Sequence, residues 1–333
     1  MPTLHVGDPA PSLNVGRWLK GAPINGYSPS QTYLVVFWST WCAAFLPAMR
    51  HLDELNGQFS QQVQIVAVSV FESNRAKLYD YVDKLAYKMD FTVAADKVTS
   101  DDKHGLDGTM ATSWLEASGQ EGLPIAFIVD KSGKIAWIGS PVGSSIDDPL
   151  RKIADGSWDV AAFAEKFNSE QERQKQLNIL GEAISQAIET QNWDAAFKSS
   201  DELVPYDQDT AAAARYLIML KKKDFDGAYA YCRQLEEGPF ARDARGLYSL
   251  GWLTVNPVAH YAKTDYDLGL EVLKKAADLT YQKNPEMLDA LAWAYFQKGD
   301  KDDAIATERL ALNVAREDQK ARLNQSLTTF QKS

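Results

Sequence analysis

Cysteine is nearly absent from this chain: 333 residues contain two, Cys42 and Cys232. A scaffold stapled by disulfides is thereby excluded. The four histidines, His5, His51, His104 and His260, are scattered with no metal-ligand spacing, so no metal site is expected. No apolar run approaches the roughly 20 residues that span a bilayer, and no membrane span is expected. The opening MPTLHVGDPAP lacks a basic stretch followed by an apolar one, the mark of a signal peptide. The compartment therefore reads as cytoplasmic, or as extracytoplasmic if a signal was trimmed. No P-loop or G-x-G-x-x-G is present, so no nucleotide or other cofactor is expected. A net charge of −10 argues against nucleic acid as a partner, and the one basic run, residues 221–223, reads as a helix end. What remains is a length that suggests two domains. A hydrophobic fraction of 45% with 24% charged residues is ordinary for a chain with a real core.

The first half is organised around residues 33–55, YLVVFWSTWCAAFLPAMRHLDEL. Residues 33–38 form an apolar run that predicts a central strand. After a short turn, Cys42 is expected where a helix begins, and Phe45, Met49, Leu52 and Leu55 follow at helical spacing. A cysteine on a first helical turn faces unpaired backbone N–H groups and the positive end of the helix dipole, which favour its thiolate.

Around this stretch the pattern is α/β. Residues 1–30, rich in proline and glycine, predict extended segments and turns. A buried strand is expected at 63–71, then a helix capped by Ser73 that buries Leu78, Val82 and Leu85. A short strand at 91–95, a polar stretch at 96–107 and a helix around 110–117 follow. Residues 125–129 and 135–138 read as an antiparallel hairpin, with Gly133 supplying a positive φ. The order of elements predicts a mixed sheet flanked by helices.

Four pieces carry a family resemblance: G-D-P-A-P at 7–11, F-W-S-T-W-C at 37–42, G-L-P-I-A-F-I-V-D at 122–130 and K-S-G-K-I-A-W-I-G at 131–139. Residues 1–155 resemble the thioredoxin-like redoxins of the bacterial TlpA and alkyl-hydroperoxide-reductase/thiol-specific-antioxidant group. The resemblance implies a thioredoxin-like domain with Cys42 as its active-site thiol. It also implies a cis proline at Pro124 facing that thiol, with Leu123, Pro124 and Trp41 meeting a substrate peptide. Three departures stand out. Phe45 occupies the place of the second, resolving cysteine, Val36 that of a proton-carrying acid, and Arg50 that of a helix proline, with Pro47 nearby. Dithiol exchange needs a second thiolate to attack the mixed disulfide, and Phe45 has none.

From about residue 157 the strand pattern stops, and residues 156–333 read as an all-α domain. Asn192-Trp193-Asp194, Asp224-Phe225-Asp226, Asp265-Tyr266-Asp267 and Asp300-Lys301-Asp302 recur at intervals of 32, 41 and 35 residues. These lie near the roughly 34-residue period of tetratricopeptide repeats. The last unit, residues 290–312, resembles such a repeat in Ala292, Ala304, Tyr295, Phe296 and Gly299, while residues 256–263 read as an insertion. Stacked pairs of this kind offer a face for a protein or peptide partner, and a helical cap on the first domain is the plainer alternative.

Cys42 is the candidate nucleophile, toward an external thiol or disulfide substrate. Ser39, three residues earlier, stands where peroxiredoxin-type enzymes carry a hydroxyl, but Val35 occupies the place of their proline. Glu72, at the carboxyl end of the second strand of the motif, is the acid expected near the thiol. Cys232 reads as a core residue. His51 lies nine residues along the helix from Cys42 and faces the other way, and His104 reads as a loop residue. The function expected is a single-thiol oxidoreductase or redox-responsive domain coupled to a helical partner-binding domain. Its alternatives are a non-catalytic scaffold and a peroxidase.

Overall fold

The run at Thr32–Trp38 forms strand β2, every residue of it buried, and the first half of the protein is laid down around it. The computed structural model describes residues 2–98, 108–259 and 261–332. In chain order the strands are β1 (Val15–Lys20), β2, β3 (Val63–Ser69), β4 (Thr92–Asp96), β5 (Ile125–Val129) and β6 (Ile135–Gly139). They form one mixed sheet in the order β1-β4-β3-β2-β5-β6. Strands β2, β3 and β4 run parallel, while β5, β6 and β1 attach antiparallel. Because side chains alternate along a strand, β2 feeds two cores. Leu34, Val36 and Trp38 point to one with helices α1 (Phe45–Phe59), α2 (Arg75–Leu85) and α3 (Asp147–Asp155). Tyr33, Val35 and Phe37 point to the other, with Met110, Trp114 and Leu115 of the helical segment after β4.

Three expectations change at this level. The first 30 residues contain a strand, β1, set on the sheet edge against β4. The cap of α2 is Asn74, whose side chain accepts from Lys77 N. Helix α1 starts at Phe45, three residues after Cys42. Pro47 explains the delay. A helix begun at Cys42 would place Pro47 where its N–H should bond the Ala43 carbonyl, and proline has no N–H to give. Leu46 N takes that carbonyl instead, at 3.3 Å, and Pro47 falls in the first turn, where the missing donor costs little. The hairpin of β5 and β6 forms as expected, with Gly133 at φ +77°. His104, and the polar stretch after residue 98 up to residue 107, lie outside the described residues, as does His260.

The second half is a stack of helices: α4 (Val160–Glu189), α5 (Trp193–Leu203), α6 (Gln208–Lys221), α7 (Phe225–Glu237), α8 (Ala244–Val255), α9 (Tyr266–Leu279), α10 (Pro285–Lys298), α11 (Lys301–Val314) and α12 (Glu317–Lys332). The recurring Asx residues of the sequence start every second helix. Asn192, Asp224 and Asp265 each accept a backbone N–H three residues on, from Ala195, Gly227 and Leu268. Asp300 holds the same place before α11 without a side-chain bond. Gln191, Lys223 and Gly299, one residue earlier in three of the four turns, have positive φ. Chain contacts divide the protein into two compact units, Met1–Glu170 and Gln171–Ser333.

Candidate active site

Strand β2 ends at Trp38, and the turn that follows carries Ser39, Thr40, Trp41 and Cys42 out of the sheet. The turn is tied down residue by residue. Ser39, almost fully buried, donates its hydroxyl to Val70 O, just past β3. Thr40 donates twice to Glu72, from N to Oε1 at 2.6 Å and from Oγ1 to Oε2 at 2.7 Å. Ser69 Oγ adds a third bond to the same carboxylate at 2.9 Å. Trp41 lies 64% exposed, and its indole N–H donates to Phe71 O at 3.2 Å. Phe71 holds a positive φ of 56°, so the carbonyl that receives the indole belongs to a strained residue.

Cys42 is half-buried. Its N–H donates to Ser39 O, and its carbonyl accepts from Phe45 N. Its thiol donates to Leu123 O at 3.3 Å. The peptide between Leu123 and Pro124 is cis, and Pro124 is buried. The structure therefore brings together Cys42, Leu123 and Pro124. Ser39 and Glu72 are joined to the turn that carries the thiol through other atoms: the Ser39 hydroxyl is spent on Val70, and the Glu72 carboxylate on Thr40 and Ser69.

Behind the thiol the site is apolar. Phe45 is fully buried and stacks on Trp38, with ring centroids 4.3 Å apart and planes within 15°. Val36 is fully buried in the same core. The places where the resemblance implied a second thiol and an acid are filled by packed hydrocarbon.

Tyr81 of α2 belongs to the site and was not singled out from the sequence. Its ring packs on Trp38 with centroids 5.7 Å apart. Its hydroxyl is held above the ordinary tyrosine range by burial first, and then by the charges of Cys42 and Glu72. The signal was there: Tyr81 follows the buried Leu78 by three residues, on the same helix face. Cys232 lies in the helical unit, buried beside Leu235 and Leu250. Burial pushes its thiol up to about 12, so at neutral pH it is an apolar filler. His51 bonds Asp147 at 2.6 Å through Nε2. Among the described residues no group of three or more His, Cys, Asp or Glu could hold a metal ion.

Residues 30–135 match the family model described as thioredoxin-like. The first unit carries a thioredoxin-like domain. Protein FixW of Rhizobium leguminosarum is 27% identical over 221 residues, which are 65% of this chain and 97% of FixW. Among solved structures, a thiol-disulfide isomerase from Corynebacterium glutamicum is 17% identical with a TM-score of 0.36, covering 45% of this chain and 96% of its own. A thiol-disulfide oxidoreductase from Bacteroides fragilis is 18% identical with a TM-score of 0.34, covering 44% and 98%. In this thioredoxin-like domain Cys42 stands after the central strand, and Phe45 begins the helix that follows.

Proposed function

We propose that this protein exchanges thiols and disulfides through one cysteine, Cys42, and that its helical unit, read as tetratricopeptide-like pairs, selects the protein partner. The observation that carries the reading is the half-buried Cys42 thiol, 3.3 Å from the carbonyl of Leu123, next to Pro124. That carbonyl is the polar group beside the sulfur to which a substrate backbone N–H would turn. The exchange needs no second protein thiol. The Cys42 thiolate attacks one sulfur of an external disulfide R–S–S–R′, forming a Cys42–S–S–R bond and expelling R′–S⁻. An external thiolate R″–S⁻ then attacks the R sulfur, giving R–S–S–R″ and returning Cys42 as the thiolate. Phe45 cannot intercept the mixed disulfide, so the adduct persists until an outside thiol arrives. The helix starts at Asn192, Asp224, Asp265 and Asp300, spaced near the repeat period, support the repeat reading.

A second reading, a scaffold without chemistry, draws on Phe45, whose ring fills the place of a resolving thiol as completely as any core residue. Alkylation of Cys42, followed by mass spectrometry, together with adduct formation decides between them. Exchange through Cys42 predicts that its thiol is labelled in the folded protein. It also predicts a stable adduct after treatment with an oxidised small-molecule disulfide, released by dithiothreitol. Absence of labelling in the folded protein, or labelling with no adduct, would leave the scaffold.

A further inference from the structure

The helical unit buries a pair of carboxyls that the exchange reaction does not use. Glu308 of α11 is fully buried and Asp289 of α10 is 5% exposed. Arg322 of α12 forms an ion pair with Asp289 Oδ2. Among the described residues, neither oxygen of Glu308 nor Asp289 Oδ1 meets a hydrogen-bond donor. Yet the two carboxyls interact with each other. Both groups are acceptors when ionised, so the contact becomes a hydrogen bond only if a proton lies between them.

We propose that Glu308, Asp289 and Arg322 form a proton-operated latch that holds α12 against α10 and α11, closed while the two carboxyls share one proton and loosened when that proton leaves. The charges set the two states. Closed, the cluster holds one carboxylic acid, one carboxylate and one guanidinium, and is neutral. When the proton passes to solvent, two buried carboxylates face one cation, and one negative charge is left without a partner. An unpaired buried charge is costly, and opening the helix to water removes that cost.

Among the described residues, Arg322 is the cation that acts on Glu308, while Arg316 faces Glu286. Across the cluster, α10 presents Asp289 and Glu286, α12 presents Arg322, and α8 presents Tyr248, whose hydroxyl is held above its ordinary range, chiefly by burial. Burial and the facing Asp289 raise the Glu308 carboxyl from 4.5 to about 8, against the opposing pull of Arg322. The proton belongs to the pair rather than to one oxygen.

Helix α12 is suited to be the moving part. Its contacts with α10 form one row: Arg322 on Asp289, Ser326 Oγ 3.3 Å from the Trp293 indole N–H, and Phe330 between Trp293 and Phe296 at centroid distances of 4.9 and 4.8 Å. The cluster is the charged end of that row.

Amide hydrogen exchange on the full chain tests the latch. Opened, Glu308 returns to an ordinary glutamate, so the opening constant rises as pH climbs from about 4.5 and levels off near 8, by about tenfold per unit at most. Protection factors of α12 amides, with intrinsic exchange rates divided out, should therefore fall by up to about 100-fold between about pH 6 and 8. Those of α5 and α6 should hold steady. Glu308→Gln, which stays neutral, should abolish the fall. The carboxyl carbon of Glu308, followed by NMR in the unaltered protein, should titrate well above the ordinary glutamate value, and Arg322→Met should move that midpoint higher. Constant α12 protection, an ordinary Glu308 midpoint, or a pH-dependent fall that survives in Glu308→Gln would each overturn the latch.

Discussion

Phe45 shows how a single position sets both stability and chemistry. Its ring is fully buried and stacked on Trp38, with Tyr81 on Trp38 as well. Replacing it with cysteine would offer Cys42 the neighbour it lacks, but it would also remove an aromatic ring from a closed core. Large-to-small changes of this kind cost about 3–5 kcal/mol, the removed surface and the residual cavity together. Phe45→Cys should therefore lower the urea midpoint by an amount equivalent to about 3 kcal/mol with an unchanged slope. It should also form a disulfide between positions 42 and 45 that dithiothreitol reduces. Equilibrium unfolding and thiol counting read the two effects separately. A destabilised variant that never forms the bond would show that the turn holding Cys42, tied through Thr40 to Glu72, keeps the sulfurs apart.

Helix starts are where the sequence was most and least informative. The Asx residues at 192, 224, 265 and 300 were visible as a period, and each precedes a helix. Their chemistry is local, which is why spacing alone revealed them. Three accept a backbone N–H and the fourth does not, so alanine replacements should split. Asn192→Ala, Asp224→Ala and Asp265→Ala should each cost about 1 kcal/mol. Asp300→Ala should stay within about 0.5 kcal/mol, since it loses the helix-dipole term and an exposed ion pair with Lys298 but no cap bond. Thermal or urea unfolding of the four variants is the check, and a cost for Asp300→Ala equal to the others would refute the distinction. The start of α1 was misplaced because one missing N–H, that of Pro47, outweighed the apolar spacing. Strand β1 was not legible, since its evidence is its partner β4, about 80 residues away. Likewise, Thr40 gave no hint that Glu72 would receive both its donors, because that bond exists only after β2 and β3 align. That Cys42 faces the Leu123–Pro124 loop was implied by the family resemblance alone, and the thiol does lie against Leu123 O.

At the scale of the whole molecule, helix α4 shows where one unit ends and the other begins. Its early apolar residues Val160, Phe163, Ala164 and Phe167 pack in the cores of the sheet. Its later ones, Leu180, Ile184 and Ala187, pack with Ala196 and Leu203 among the helices. Between them runs the polar stretch NSEQERQKQ, which supplies no buried residue, and the division at Glu170 falls inside it. Each unit therefore closes its own cores, and damage to one core should be felt first in the unit that owns it. Phe45 and Phe330 are a matched pair for this question: both are fully buried aromatic residues, one in the sheet unit and one on α12. Phe45→Ala and Phe330→Ala should each cost about 4 kcal/mol. The first should reduce amide protection in β2, β3 and β5, leaving α10 and α11 at their original values. The second should reduce protection in α10 to α12, leaving the sheet unchanged. Peptide-resolved hydrogen exchange on the intact chain reads both patterns. If either substitution lowers protection equally in the two units, they unfold as one cooperative body, and separate closure of the cores does not translate into separate stability.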